Sequence, residues 1–244
     1  MLGVLFAMTK LTTDMLSKTS RLVWDIPTRL FHWSLVLCML ASWGSAELGK
    51  MSIHFWSGYT LLGLLCFRII WGFIGTRHAR FATFFPRPKS VLSYLQSLPK
   101  TSWTPSAGHS PIGAVAVFVL LFALGTQAVT GLFATDDIIW SGPYNAAVSQ
   151  DLGSNLTSIH HKSFNVLVAL IGVHIAAVLA YWILKATNLT KPMITGRKST
   201  LQAPNTESIE PPKLWRVALA VGLAILFIAV LLGAAPEPTD DFYY

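Results

Sequence analysis

Charge is what this sequence has least of. Asp, Glu, Lys and Arg make up 12% of its 244 residues, against roughly 25% in an ordinary soluble domain. With 53% hydrophobic residues and a mean hydropathy of +0.54, the composition excludes a water-soluble globular domain and points to a membrane protein. Cysteine is nearly absent as well. Cys38 and Cys66 both fall in apolar runs, too few and too far apart for a disulfide framework, and there is no Cys-x-x-Cys metal motif. The Cys-x-x-Cys-His signature of covalently attached haem is also missing. Internal repeats and low-complexity tracts are lacking, and no acidic residue interrupts the interior of an apolar run.

What the chain does have is five apolar segments, at roughly 30–47, 53–75, 111–134, 159–185 and 214–234. The first is short. The expected fold is an all-α integral membrane protein, a four-helix transmembrane bundle with one additional C-terminal transmembrane helix. The net charge of +7 is unevenly spread. Lys10, Lys18, Arg21 and Arg29 precede the first run. Arg77, Arg80, Arg87, Lys89 and Lys100 separate the second from the third. Lys185, Lys191, Arg197, Lys198, Lys213 and Arg216 separate the fourth from the fifth. The other loops carry Glu47, Asp136, Asp137 and Asp151, the tail carries Glu237, Asp240 and Asp241, and Lys50 and Lys162 are the cations on that side. The positive-inside rule therefore places the N-terminus in the cytoplasm and the C-terminus on the far, periplasmic side of a bacterial inner membrane. The basicity is a topology signal, not a nucleic-acid footprint.

Between the second and third runs, FFPRPKSVLSYLQSLPK reads as a basic surface loop with a short interfacial helix over 91–98. Residues 186–212 read as a polar linker. The opening MLGVLFAMT is too short to span and lacks the basic flank of a signal peptide, so Met8 or Met15 is an alternative start.

Histidine is costly in hydrocarbon, yet HHKSFNVLVALIGVH (160–174) begins and ends with it. Fourteen residues at ~100° each leave His160 and His174 only ~40° apart on one helical face, and separated by ~21 Å along it. His161 points ~140° away from His174. One metal ion with ligands at ~2 Å cannot use both His160 and His174, so each needs a partner at its own depth. His54 matches the depth of His160, and His32 lies in the same half as His174. Two imidazole pairs, one near each face, suit two planar porphyrins held between helices, with neutral imidazoles ligating iron from both sides. A large ring needs missing side chains nearby, and Gly58 follows His54 by one turn. Arg68, inside the second run, needs an anion, and a haem propionate is a candidate counter-ion.

The stretches WDIPTRLFHW (24–33), IHFWSGYTLLGLLCFRIIWGFIGTRHARF (53–81), GHSPIGA (108–114), TGLFATDD (130–137) and the 160–174 segment closely resemble the prokaryotic cytochrome b561 family, which includes the cytochrome b subunits of membrane-bound nickel–iron hydrogenases. The resemblance covers about 23–198. It implies a four-helix core with two non-covalent haem b groups, ligated by His32 with His174 and by His54 with His160. It divides the chain into an N-terminal cytoplasmic segment (1–22), a diheme transmembrane domain (23–198), and a linker, fifth helix and far-side tail (199–244).

The expected function is a respiratory-chain electron carrier between the quinone pool and a far-side redox protein, such as a c-type cytochrome, a hydrogenase or another dehydrogenase. An electron-transfer subunit is expected over a stand-alone enzyme. The far-side acids could steer a basic partner. The alternative is a superoxide:quinone oxidoreductase acting at the outer face. That reaction calls for a cationic funnel on the far side, where only Lys50 and Lys162 stand. A non-redox metal transporter would gather its ligands at one midplane site, usually with intramembrane carboxylates, and this pattern offers neither.

Overall fold

The computed structural model describes residues 20–98, 106–200 and 208–237. Met8, Met15, Lys10, Lys18, Lys100, Asp240 and Asp241, each given a part above, lie outside the described residues.

A short strand β1 (Ser20–Leu22) leads into α1 (Ile26–Glu47), then α2 (Met51–Ile74), a single turn α3 (Phe81–Phe84) and α4 (Pro88–Ser97). The long helices α5 (Pro111–Gly131) and α6 (Gln150–Lys185) follow. A turn α7 (Thr190–Thr195), strand β2 (Arg197–Ser199) and α8 (Leu214–Gly233) complete the order. Four helices, α2, α5, α6 and α8, are long and apolar enough to cross a membrane. The 22-residue α1 has the length but falls short of them in apolar character, because Arg29, His32, Ser34, Ser42 and Ser45 interrupt it. It packs along α2 as a full member of the bundle.

Local chemistry sets where these helices start and stop. Asp25 caps α1 by accepting from Thr28 N at 2.7 Å, with Pro27 in the first turn. Ser110 caps α5 from Gly113 N at 3.1 Å, ahead of Pro111, and Ser149 caps α6. The α1–α2 reversal takes only three residues because Gly49 adopts φ +66. At 36 residues α6 is about 54 Å long at 1.5 Å per residue, well beyond a ~30 Å hydrocarbon core. It starts nine residues before the apolar run at 159, since the polar stretch 150–158 continues the same helix from the Ser149 cap.

The core lies along α2. Leu61 and Leu65 meet Leu124 of α5 and Leu167 of α6 in the middle of the bundle. Phe67 and Trp71 meet Ala220 and Ala224 of α8 at the end that carries the basic loops. Gly63 lets α8 close in, since a Cβ there would sit 3.2 Å from Ile228 Cγ1. Outward faces carry exposed apolar side chains such as Phe122, Ile183 and Trp182, as a lipid-facing surface requires.

The polar linker contains structure that hydropathy did not disclose. β2 pairs antiparallel with β1, Ser20 opposite Ser199 and Leu22 opposite Arg197. Ile209 N then donates to Leu22 O at 3.0 Å. The interfacial helix α4 begins at Pro88, three residues earlier than expected, because Pro88 is preorganised for a first helical turn.

Candidate functional site

The bundle has two polar ends, one basic and one acidic. At the acidic end, α2 supplies His54 and α6 supplies His160, their ring centres 6.2 Å apart and their planes at 86°. His54 Nδ1 lies 2.9 Å from the Ser42 carbonyl, and His160 Nδ1 lies 2.9 Å from the Gln127 carbonyl. A carbonyl oxygen can only accept, so both Nδ1 atoms carry a proton, and in the neutral ring Nε2 is then the nitrogen whose lone pair a metal can use. This is the arrangement in which a backbone acceptor fixes a metal-binding imidazole. Two rings on opposite sides of one metal, with bonds of about 2 Å, have centres roughly 6 Å apart, so the observed spacing fits one iron between them.

Gly131 lets α5 approach this pair: a Cβ there would fall 2.9 Å from His160 Cε1. Gln127 was not singled out from the sequence, although it is the one amide inside α5. Its Nε2 reaches His160 Nε2 at 3.1 Å, and its Oε1 accepts from Ser163 Oγ. A metal held by His160 Nε2 would take the place of that amide contact. His161 is exposed, with its ring centre 6.1 Å from that of its neighbour His160. No added atom at Gly58 would meet a neighbour within 4 Å, so the space beside this turn of α2 is open.

The acidic-end loop after α5 roofs this pair. Asp136 Oδ1 accepts from Ile138, Ile139 and Trp140 N at 2.8–3.0 Å, which holds its carboxyl below the usual carboxylate range. The turn places Trp140 against Phe55, ring centres 6.0 Å apart, next to His54. Asp136 thus has a structural task beyond its charge.

At the basic end, His32 of α1 and His174 of α6 lie within electrostatic reach of one another. Among the described residues, His32 Nδ1 is buried without a hydrogen-bond partner, a polar atom that a bound group or water would satisfy.

Arg68 is 3% exposed. It donates to Ala79 O at 3.2 Å and lies 4.6 Å over the Phe81 ring. The motif RIIWGFIGTRHARF explains this placement. Gly72 leaves room for Phe81, whose ring would clash with any Cβ there, so the chain after α2 folds back over Arg68. The arginine also feels the charge of Asp25, a partner outside the apolar runs that hydropathy alone did not bring near. Asp25 is 2% exposed and accepts from Trp71 Nε1 at 3.2 Å and from Thr76 Oγ1. Trp71 is therefore a fastening of α2 to the start of α1.

Among the described residues no three His, Cys, Asp or Glu side chains converge on one point. The geometry brings one histidine pair face to face, His54 with His160, and non-covalent haem is a cofactor that takes iron ligands two at a time from facing helices. The class is that of a membrane b-type cytochrome. The chain belongs to the prokaryotic cytochrome b561 family, which its residues 23–196 match. It is accordingly a multi-pass membrane protein that carries haem b and works in electron transfer. The chain is also similar to the probable Ni/Fe-hydrogenase B-type cytochrome subunit of Rhodobacter capsulatus, at 22% identity over 224 residues, covering 75% of this chain and 82% of that relative. No solved structure matches it.

Proposed function

We propose that the protein carries electrons across the membrane through two b haems in series, one between His54 and His160 and one between His32 and His174. When bound, each haem supplies a one-electron iron couple. The protein's own residues orient the acidic-end imidazoles through the Ser42 and Gln127 carbonyls, and all four histidines are half-buried. Gly58 and Gly131 leave room beside the acidic-end ring, and Arg68 supplies positive charge toward the basic-end haem. The positive-inside asymmetry puts the basic end in the cytoplasm. The quinone pool and an acidic-side redox partner, a hydrogenase or a soluble c-type cytochrome, are the two ends of the electron path. The hydrogenase subunit named by the similar protein favours the first of these partners.

The observation that carries this reading is the facing of His54 and His160 at 6.2 Å, with both Nδ1 atoms tied to backbone carbonyls. Pyridine haemochrome analysis of the purified protein tests it. Two haem b per chain are expected. His54→Ala and His174→Ala each lose one, and His161→Ala keeps both. A wild-type ratio of one haem would remove one of the pairs and with it the path across the membrane.

A further inference from the structure

At the basic end, beside Trp24 in the segment ahead of α1, is a polar cavity of about 200 Å³ that the electron path does not use. Arg77, His78, Thr83, Ser106, Gly108 and His109 line it. His78 and His109 come from separate loops, after α2 and before α5. Each presents a buried ring nitrogen with no partner among the described residues, Nε2 of His78 and Nδ1 of His109. Trp24 and Phe84 clamp the His109 ring at 4.7 and 4.1 Å between centres.

Among the described residues, the charges that act on these two rings are cationic, from Arg68, Arg77 and Lys198. Arg68 and Lys198 are 3% and 7% exposed, and Lys198 Nζ donates to Ser106 O at 3.0 Å on the cavity wall. Burial pulls Lys198 down to about 8. Burial and the neighbouring Arg68, His78 and Lys198 press His109 down to about 3. Asp25, whose charge reaches Arg68, is already engaged by Thr28, Trp71 and Thr76. Neutral imidazoles in a cationic wall can donate an N–H to an acceptor, and buried cations are costly unless anions offset their charge.

We infer that this cavity is an oxyanion site, in which His78 Nε2–H and His109 Nδ1–H donate to a carboxylate or phosphate whose charge Arg68, Arg77 and Lys198 balance. Two sources carry that chemistry: a propionate of a haem held by His32 and His174, or the phosphate of a lipid headgroup or of the cytosol. The propionate source rests on the haem reading above; the phosphate source does not.

The test uses the full-length haem-loaded protein with three variants, His109→Gln, Lys198→Met and Gly108→Ala. The last keeps every charge but would set a Cβ 2.8 Å from His78 Nδ1. Haem content, the two midpoint potentials and thermal stability against added inorganic phosphate are measured for each. If a propionate fills the site, all three variants shift the potential of one haem and leave the other, Lys198→Met moves it downward, and phosphate changes nothing. If phosphate fills it, the potentials stay and phosphate raises Tm in the wild type, with half-saturation weakened about tenfold or more in His109→Gln. A protein whose variants keep wild-type potentials and whose Tm ignores phosphate overturns the oxyanion site. Loss of haem from the wild type would strike the haem reading alone, and the phosphate titration would still decide the cavity.

Discussion

Asp25 shows how much one buried carboxylate can do here. It caps α1, receives the indole of Trp71 and the hydroxyl of Thr76, and lies within electrostatic reach of Arg68. Asp25→Ala removes a helix cap and leaves the Trp71 N–H buried and unpaired. The expected loss is about 2–4 kcal/mol, read as a lower unfolding midpoint in detergent. Asp25→Asn keeps an acceptor for the cap and should lose less. At the other end, Gly131→Ala drives a methyl against His160. It should lower occupancy of the acidic-end haem while sparing the other, which a haem count together with redox titration separates.

At the scale of the element, the 135–141 loop makes a prediction about acid. The carboxyl of Asp136 is lowered from its ordinary 3.8 by three backbone donors. Its contribution is therefore complete above 3.8 and is lost as pH falls through the lowered value. The turn should open only in strong acid, seen as a change in Trp140 emission as the ring leaves Phe55. Asp136→Asn retains an accepting oxygen and should abolish that pH dependence. The helix α8 lies beyond the family match at residue 196, yet it packs on α2 through Ala220 and Ala224. It is also tied by Arg216 Nη1 to Ile74 O at 3.3 Å and by Tyr144 OH to Leu231 O at 2.7 Å. Gly63→Leu should prise α8 away and lower Tm with the haem count intact.

At the scale of the molecule, a reporter enzyme active only outside the cytoplasm tests the orientation: fused after Leu98 it should be silent, and fused after Asp137 it should be active. Much of this plan was legible in the sequence, because hydropathy marks each long helix and a 100° step puts His160 and His174 on one face. What escaped was set by tertiary contact. Gln127 looks like an ordinary polar break in α5 until α6 brings His160 beside it. His78 and His109 read as loop histidines, because nothing in their spacing places two loops around one cavity. The β1–β2 pairing was invisible for the same reason: three residues on each strand carry no period, and their partners are far apart in the chain.

That small ribbon also bears on how the protein is made. Leu22 leaves the ribosome early, while Arg197, its partner, follows roughly 175 residues later, which at 5–20 residues per second is about 9–35 s of translation. α1, α2, α5 and α6 have all been synthesised by then. The ribbon can close only on a chain that already holds all four candidate iron ligands, so a truncated product that ends before Arg197 never acquires its latch.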